Sequence, residues 1–429
     1  MWWLYELCVL IGFVCYLPSA LWRRRLPHEG WSMRLGRYPR ELVASLQGKR
    51  TLWVHAVSVG EVLSARPLLT VLTQTYPDAP LVLSTITPGG FEVGSTQVER
   101  LGACIYFPLD LRSCVHRAFA AFHPRILLLM ESELWPMTVH LAHRAGIPIV
   151  VVNGRISPRT FRRAQWVQPF FTKMLHRVDL FLMQSQEDAD RLLALGAPAA
   201  RVHVAGNLKW DASLTTRPTP QAIQESAARF GLHQEETVIV AGSTHRGEEA
   251  VLLRAFRAIR TASPQVRLML APRHLERVAE VETLIRQEGW MVARASSTPT
   301  AGWDVGLIDV FGQLPQYYGL ASVVYIGGSL IPHGGQNPLE AASLGKPMVF
   351  GPSMHNFASI THQLFAHHAA RQVNSADELT QTLQELLAHP REAQAMGARA
   401  QALTEQFQGA TQRTLNALKP FLTPSSSTT

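Results

Sequence analysis

With 429 residues the chain exceeds what one ordinary hydrophobic core organises, so two domains of similar size are expected. Apolar residues at 47% against 17% charged exclude a disordered chain, leaving only the tail Ser425 to Thr429 as a candidate for disorder. A net charge of +8 favours anionic partners such as phosphorylated lipids, anionic bilayers or nucleic acid, while the four cysteines, Cys8, Cys15, Cys104 and Cys114, share no CxxC spacing and so argue for a reducing compartment without structural zinc.

Residues 1 to 22 are apolar except for Glu6 and a few small polar groups, and Arg23-Arg24-Arg25 follows at once. As a helix this run spans roughly 33 Å, enough for a bilayer core. A secretory signal carries its basic residues ahead of the apolar run, so residues 1 to 25 read instead as a membrane anchor, and the positive-inside rule puts the rest of the chain on the cytoplasmic face. Trp2, Trp3 and Trp22 suit the two interfaces, and Glu6 and Pro18 leave room for a monotopic helix.

From residue 51, short apolar runs alternate with amphipathic stretches. Strands are expected at 52–56, 81–86, 104–107, 126–130, 147–152, 180–183 and 202–204, with helices between them, for instance 62–73, 137–145 and 187–195. Continuous apolar strands joined by helices imply a parallel sheet covered on both faces, a doubly wound α/β domain. Ser, Thr and Pro cluster from Asp211 to Pro220, and the pattern then restarts with strands at 237–241, 266–271, 305–308, 323–326 and 347–350. The expected divisions are a first domain over 26–211, a linker over 212–220, a second domain over 221–422 and a flexible tail over 423–429. Ligands of such sheets bind beyond the carboxyl ends of the strands, which directs attention to the loops there.

The loop after the first strand, Val57-Ser58-Val59-Gly60-Glu61, delivers a carboxylate to the mouth of the sheet. Glu61 suits a general base for a sugar hydroxyl, or equally a residue that only complements the helix dipole. Glu131 and Glu133 follow the fourth strand, and Pro136 starts the next helix. After the fifth come Asn153-Gly154-Arg155, with Arg159, Arg162 and Arg163 close behind, either a phosphate-holding set or a solvated basic face. In the second half, Gly242-Ser243-Thr244-His245 and Pro272-Arg273-His274 close two strands. His333-Gly334-Gly335-Gln336-Asn337-Pro338-Leu339-Glu340 forms a glycine turn ahead of a helix. Backbone N–H groups at Gly334 and Gly335 can approach a phosphate, and Glu340 can accept paired hydrogen bonds from ribose hydroxyls, although plain loop chemistry explains such a turn as well.

The stretches WVHAVSVGE (53–61), MESELWP (130–136), STHRGEE (243–249), PRH (272–274) and GGSLIPHGGQNPLEAA (327–342) together closely resemble the Kdo (3-deoxy-D-manno-octulosonic acid) transferases of lipopolysaccharide assembly, in family order and over almost the whole chain. The resemblance implies the GT-B glycosyltransferase fold, two Rossmann-like domains facing a central cleft behind an N-terminal membrane anchor. It implies transfer of Kdo from CMP-Kdo to a lipid A precursor of the lipid IVA type, with inversion, at the cytoplasmic face of the bacterial inner membrane. By the same resemblance Glu61 is the base, and Glu131 and Glu133 are the acidic pair of the ELWP motif at the active-site cleft. Ser58, Gly60, Arg155 and Arg159 fall to the acceptor side. Ser243, Thr244, Arg273, His274, Gly334, Gly335, Asn337 and Glu340 fall to the CMP-Kdo side. No cofactor or metal is expected beyond the donor itself, since no DxD or acidic cluster accompanies the presumed phosphate loops. Met137, Gln313 and Gln336 depart from the family's pattern. The competing readings are another GT-B enzyme using a uridine nucleotide sugar, or a membrane-tethered nucleotide-binding scaffold. Nucleic acid is not expected as a partner, because the basic residues are dispersed and no recognition module accompanies them.

Overall fold

Strand residues in a parallel sheet point alternately to two covered faces, so both sets must be apolar. The computed structural model, which describes residues 30–98, 102–233, 236–297 and 302–422 together with 5–7, 9, 11, 12 and 15, shows this in the first sheet. Leu52 and Val54 lie in one core cluster and Trp53 in the other, and likewise Ile126 and Leu128 oppose Leu127 and Leu129.

That sheet has seven parallel strands: β1 Thr51–His55, β2 Leu81–Thr85, β3 Gly102–Tyr106, β4 Pro124–Met130, β5 Ile149–Gly154, β6 Leu180–Met183 and β7 Val202–Val204. Their order is β3-β2-β1-β4-β5-β6-β7, so the chain reverses direction of growth between β1 and β4. The loops leaving β1 and β4 therefore diverge around a crevice, the position at which doubly wound sheets bind ligands.

The second sheet is also parallel: β8 Val238–Thr244, β9 Arg267–Pro272, β10 Val292–Arg294, β11 Val305–Leu307, β12 Val323–Ile326, β13 Met348–Phe350 and β14 Arg371–Gln372, ordered β10-β11-β9-β8-β12-β13-β14. Its switch point lies between β8 and β12. The edge strands β10 and β14, three and two residues long, carry no apolar run and were not expected from the pattern.

Two expectations are corrected. The stretch read as a structureless break from Asp211 begins inside a helix, Leu208–Thr215. The last helix, Ala410–Leu422, expected in the second domain, belongs to the first. One compact unit contains residues up to Ala212 and those from Gln408 onward, and the other is Ser213–Phe407. Leu415, Leu418 and Leu422 pack into the cluster that contains Leu52 and Leu81. Asp211 ties the two stretches together: its carboxylate accepts from the N–H groups of Gly409 (2.7 Å) and Thr411 (2.6 Å), capping a helix about 200 residues away. Asp211→Ala is expected to cost about 1–3 kcal/mol and to speed amide exchange selectively across 410–422. Exchange at the wild-type rate there would refute the cap.

The expected anchor over residues 1–22 lies largely outside the described residues, and among those described no helix is long and apolar enough to cross a membrane. Two residues at its start join the first unit: the Tyr5 hydroxyl donates to Asp110 (2.7 Å), and Glu6 accepts from the Arg112 N–H (2.8 Å) at the start of helix Arg112–Phe122.

Candidate active site

At the first switch point, helix Val59–Thr75 begins just after Ser58, and Glu61 is its third residue. The carboxylate folds back to accept from the Val57 N–H (2.9 Å) and the Ser58 hydroxyl (3.2 Å), so it does serve the helix start. It is also chemically unusual. Burial first, then the Glu131 charge and with it Glu133, pushes the Glu61 carboxyl up to about 7 against the pull of those two donors. A group balanced there exchanges protons near neutral pH. Gly60 is not required by the fold, since a Cβ there meets nothing nearer than Ser58 Oγ at 4.0 Å.

Glu131 leaves β4 with φ 54°, and Asn153, at the end of neighbouring β5, has φ 56°. Left-handed backbone at non-glycine residues is uncommon and costly, and here it sits on adjacent strand ends beside the crevice. The Glu131 N–H donates to Val152 O (2.9 Å), and Lys209 Nζ lies 3.2 Å from its Oε1. Burial raises the Glu133 carboxyl as well. Three of the expected residues thus act on one another at one crevice. Arg155 follows β5 half-buried, while Arg159 is exposed on helix Pro158–Trp166.

Lys209 was not among the expected residues. Its signal was a lysine directly after the loop leaving β7, but only tertiary structure reveals that it meets Glu131. The position is built by a buried amide network. Asn153 Oδ1 accepts from Leu208 N–H, the Gln184 amide donates to Asn153 O, and Asn207 donates to Gln184 Oε1, each at 2.9 Å.

In the second unit, the expected residues gather after β8, β9 and β12. Ser243 is half-buried with φ 54°. Thr244 differs from expectation: it is fully buried and its hydroxyl donates to Glu249 Oε1 (3.0 Å), which Arg277 also holds at 2.8 Å, so its side chain builds the loop rather than presenting a free hydroxyl. The Arg273 N–H donates to Thr244 O (3.0 Å). His245 lies between His333, 3.9 Å away by ring centroid, and His274 at 5.6 Å.

The glycine turn also needs correction. The N–H groups proposed to meet a phosphate are engaged within the protein: Gly334 donates to Ser353 Oγ (3.0 Å), Gly335 to Gly328 O (2.8 Å) and Gln336 to Gly327 O (3.1 Å). Glycine is required there for another reason. Gly334 and Gly335 have φ 104° and 74°, and a Cβ at Gly335 would lie 2.1 Å from Met354 Sδ. The helix that follows, Leu339–Ser343, is one short turn. Asn337 bonds its Leu339 N–H (3.1 Å) and, through Nδ2, Glu340 Oε1 (3.3 Å). Burial pushes Glu340 up to about 7, with Asn337 and the Arg273 charge pulling it down.

The central residue of this loop system was missed. Glu248, only 1% exposed, accepts from the N–H groups of His245 (2.9 Å), Gly328 (2.7 Å), Ser329 (3.0 Å) and Leu330 (3.1 Å) and from the Tyr325 hydroxyl (2.7 Å). It pins the loop after β12 to the helix after β8, and Gly327 and Gly328 in turn receive the glycine turn.

These features coincide with similarity to known proteins. The family model described as 3-deoxy-D-manno-octulosonic-acid transferase (kdotransferase) matches residues 29–212. The chain is 34% identical to the 3-deoxy-D-manno-octulosonic acid transferase of Bordetella pertussis over 422 residues, 94% of this chain and 95% of that one. It is 32% identical to the Haemophilus influenzae transferase of the same name over 382 residues, 88% and 89% of the two chains. A solved UDP-GlcNAc 2-epimerase from Neisseria meningitidis, bound to UDP-GlcNAc, superposes with a TM-score of 0.59 at 13% identity, covering 86% of this chain and 100% of that one, and shows a shared GT-B-like fold alone. The extent of the two transferase matches decides the assignment: the chain belongs to the family of 3-deoxy-D-manno-octulosonic acid (Kdo) transferases.

Proposed function

We propose that the chain is an inverting, metal-independent glycosyltransferase that moves Kdo from CMP-Kdo to a lipid A precursor of the lipid IVA type in lipopolysaccharide inner-core synthesis. The observation that carries the mechanism is Glu61, a carboxylate at the β1/β4 switch point whose pKa is pushed up to about 7. In this reading it accepts the proton of the acceptor hydroxyl as that oxygen attacks the anomeric carbon opposite the leaving CMP. Arg155 and Arg159 meet the acceptor's phosphates. On the second unit Ser243, Arg273, His274 and Asn337 hold the donor, Glu340 takes the ribose hydroxyls, and the Arg273 guanidinium stabilises the departing phosphate. Residues 1 to 25 tether the enzyme to the cytoplasmic face of the inner membrane, where a basic surface suits a phosphorylated lipid substrate.

Donor choice is tested by thermal unfolding with free nucleotides. CMP at 100 times its Kd is expected to stabilise the chain by about 2.7 kcal/mol, while UMP at equal concentration leaves the melting temperature near its starting value. Equal or greater protection by UMP would favour the uridine-nucleotide reading.

A further inference from the structure

We infer that Lys209 is a positioning residue of the base site: its ammonium pairs with Glu131 and offsets that charge beside Glu61, so setting the pH at which Glu61 becomes available as base. The inference rests on the reading of Glu61 as the base. Three carboxylates, Glu61, Glu131 and Glu133, share the crevice at the end of β1 and β4, and the charges of the other two disfavour ionisation of Glu61. Lys209 Nζ sits 3.2 Å from Glu131 Oε1, with the two side chains 19% and 17% exposed. The pair is therefore screened by solvent less than an exposed ion pair is.

Both ends of the pair are held by backbone. Glu131 is fixed by its left-handed conformation and its N–H bond to Val152 O. Lys209 is the second residue of helix Leu208–Thr215, and its own N–H donates to Asn207 Oδ1 (2.9 Å). The amide network of Asn153, Gln184 and Asn207, whose members are 1%, 8% and 7% exposed, holds that helix start at the strand ends. This buried network ties the ends of β5 and β6 to residues 207 and 208 and so places Lys209 beside Glu131. The groups facing Glu61 are Glu131 and Glu133 from the loop after β4, with the Val57 N–H and Ser58 hydroxyl from its own loop. Lys209 meets this set through Glu131.

Removing the ammonium leaves the Glu131 charge uncompensated, so Glu61 should hold its proton to higher pH. The test is the pH profile of kcat for the full-length enzyme in its wild-type, Lys209→Met and Lys209→Arg forms. Lys209→Met is expected to move the acid limb upward by about half a pH unit or more, so that turnover falls further at pH 6.5 than at pH 8.5, while Lys209→Arg keeps the wild-type limb. An unmoved limb in a folded Lys209→Met enzyme overturns the inference. A folded variant inactive at every pH overturns it too, since Lys209 would then act on substrate directly. Should the methionine variant fail to fold, Lys209→Gln is judged by the same criterion, and if it also fails to fold the role is structural and the inference falls. Glu61→Gln run in parallel separates the two claims: normal turnover there removes the base itself, whereas an inactive Glu61→Gln beside an unmoved Lys209→Met limb removes only the role of Lys209.

Discussion

Glu61→Gln is expected to lower kcat by about 10²- to 10⁴-fold, the usual contribution of a positioned general base, while CMP still protects the protein against unfolding. The amide keeps the shape of the carboxylate and can accept from the Val57 N–H, so the loop at 57–61 should persist. Two pH effects accompany this loss. In the wild type, turnover should rise with pH through a midpoint of about 7, because only the ionised carboxylate accepts a proton. Stability should run the other way. Glu61 in the folded chain holds its proton up to about 7, above the ordinary 4.5, so the folded state binds more protons than the unfolded one in that window. Its contribution is most favourable below pH 4.5 and is lost progressively as pH rises to 7. Glu61→Gln escapes that loss, and by pH 8 it should be more stable than wild type by roughly 2–3 kcal/mol, the two converging near pH 4.5. Urea denaturation at the two pH values reads the difference. A variant that is less stable at pH 8, or that turns over normally, would contradict this assignment.

The second large effect concerns Glu248, which touches no proposed reacting atom. Glu248→Ala removes the common acceptor of four backbone N–H groups and a tyrosine hydroxyl in a site 1% exposed. Orphaned buried donors cost about 1–3 kcal/mol each and are not additive, so a total near 3–5 kcal/mol is expected. The consequence should extend to the donor. Residues 327–330 hold the glycine turn through Gly335 N–H to Gly328 O and Gln336 N–H to Gly327 O, and through that turn Asn337 and Glu340. CMP affinity should therefore fall at least about tenfold even at temperatures where the variant is folded. Isothermal titration of folded Glu248→Ala with wild-type CMP affinity would show that the loop holds its shape without this carboxylate.

The parts of this architecture that depend on local pattern were legible in the sequence. β6, β7 and β12 begin and end where the apolar runs do, and the helix after β4 starts at Pro136 as expected, whereas the helix after β1, expected from 62, starts at Val59. The convergence of Glu61 with Glu131 and Glu133 comes from the strand order, which the local pattern does not give: both loops leave the sheet at its switch point. What depended on distant partners was hidden. Asp211 looked like part of a polar linker because the N–H groups it caps belong to residues 409 and 411. Thr244 and Glu248 stood side by side with Ser243 and Glu249 in one motif, and nothing in the spacing reveals that Thr244 faces inward or that Glu248 organises a loop 80 residues later. The glycine turn was identified as special for the wrong atoms: its positive φ angles matter, whereas its N–H groups bond within the protein.

The most direct test of the whole account is the mass of a lipid. The full-length, membrane-bound protein, given CMP-Kdo generated in situ and a tetra-acylated, bisphosphorylated lipid A precursor, should yield lipid heavier by one or more Kdo residues, and Glu61→Gln should yield at least about 100-fold less in the same time. An unchanged lipid mass, beside a known Kdo transferase that is active in the same mixture, would contradict it.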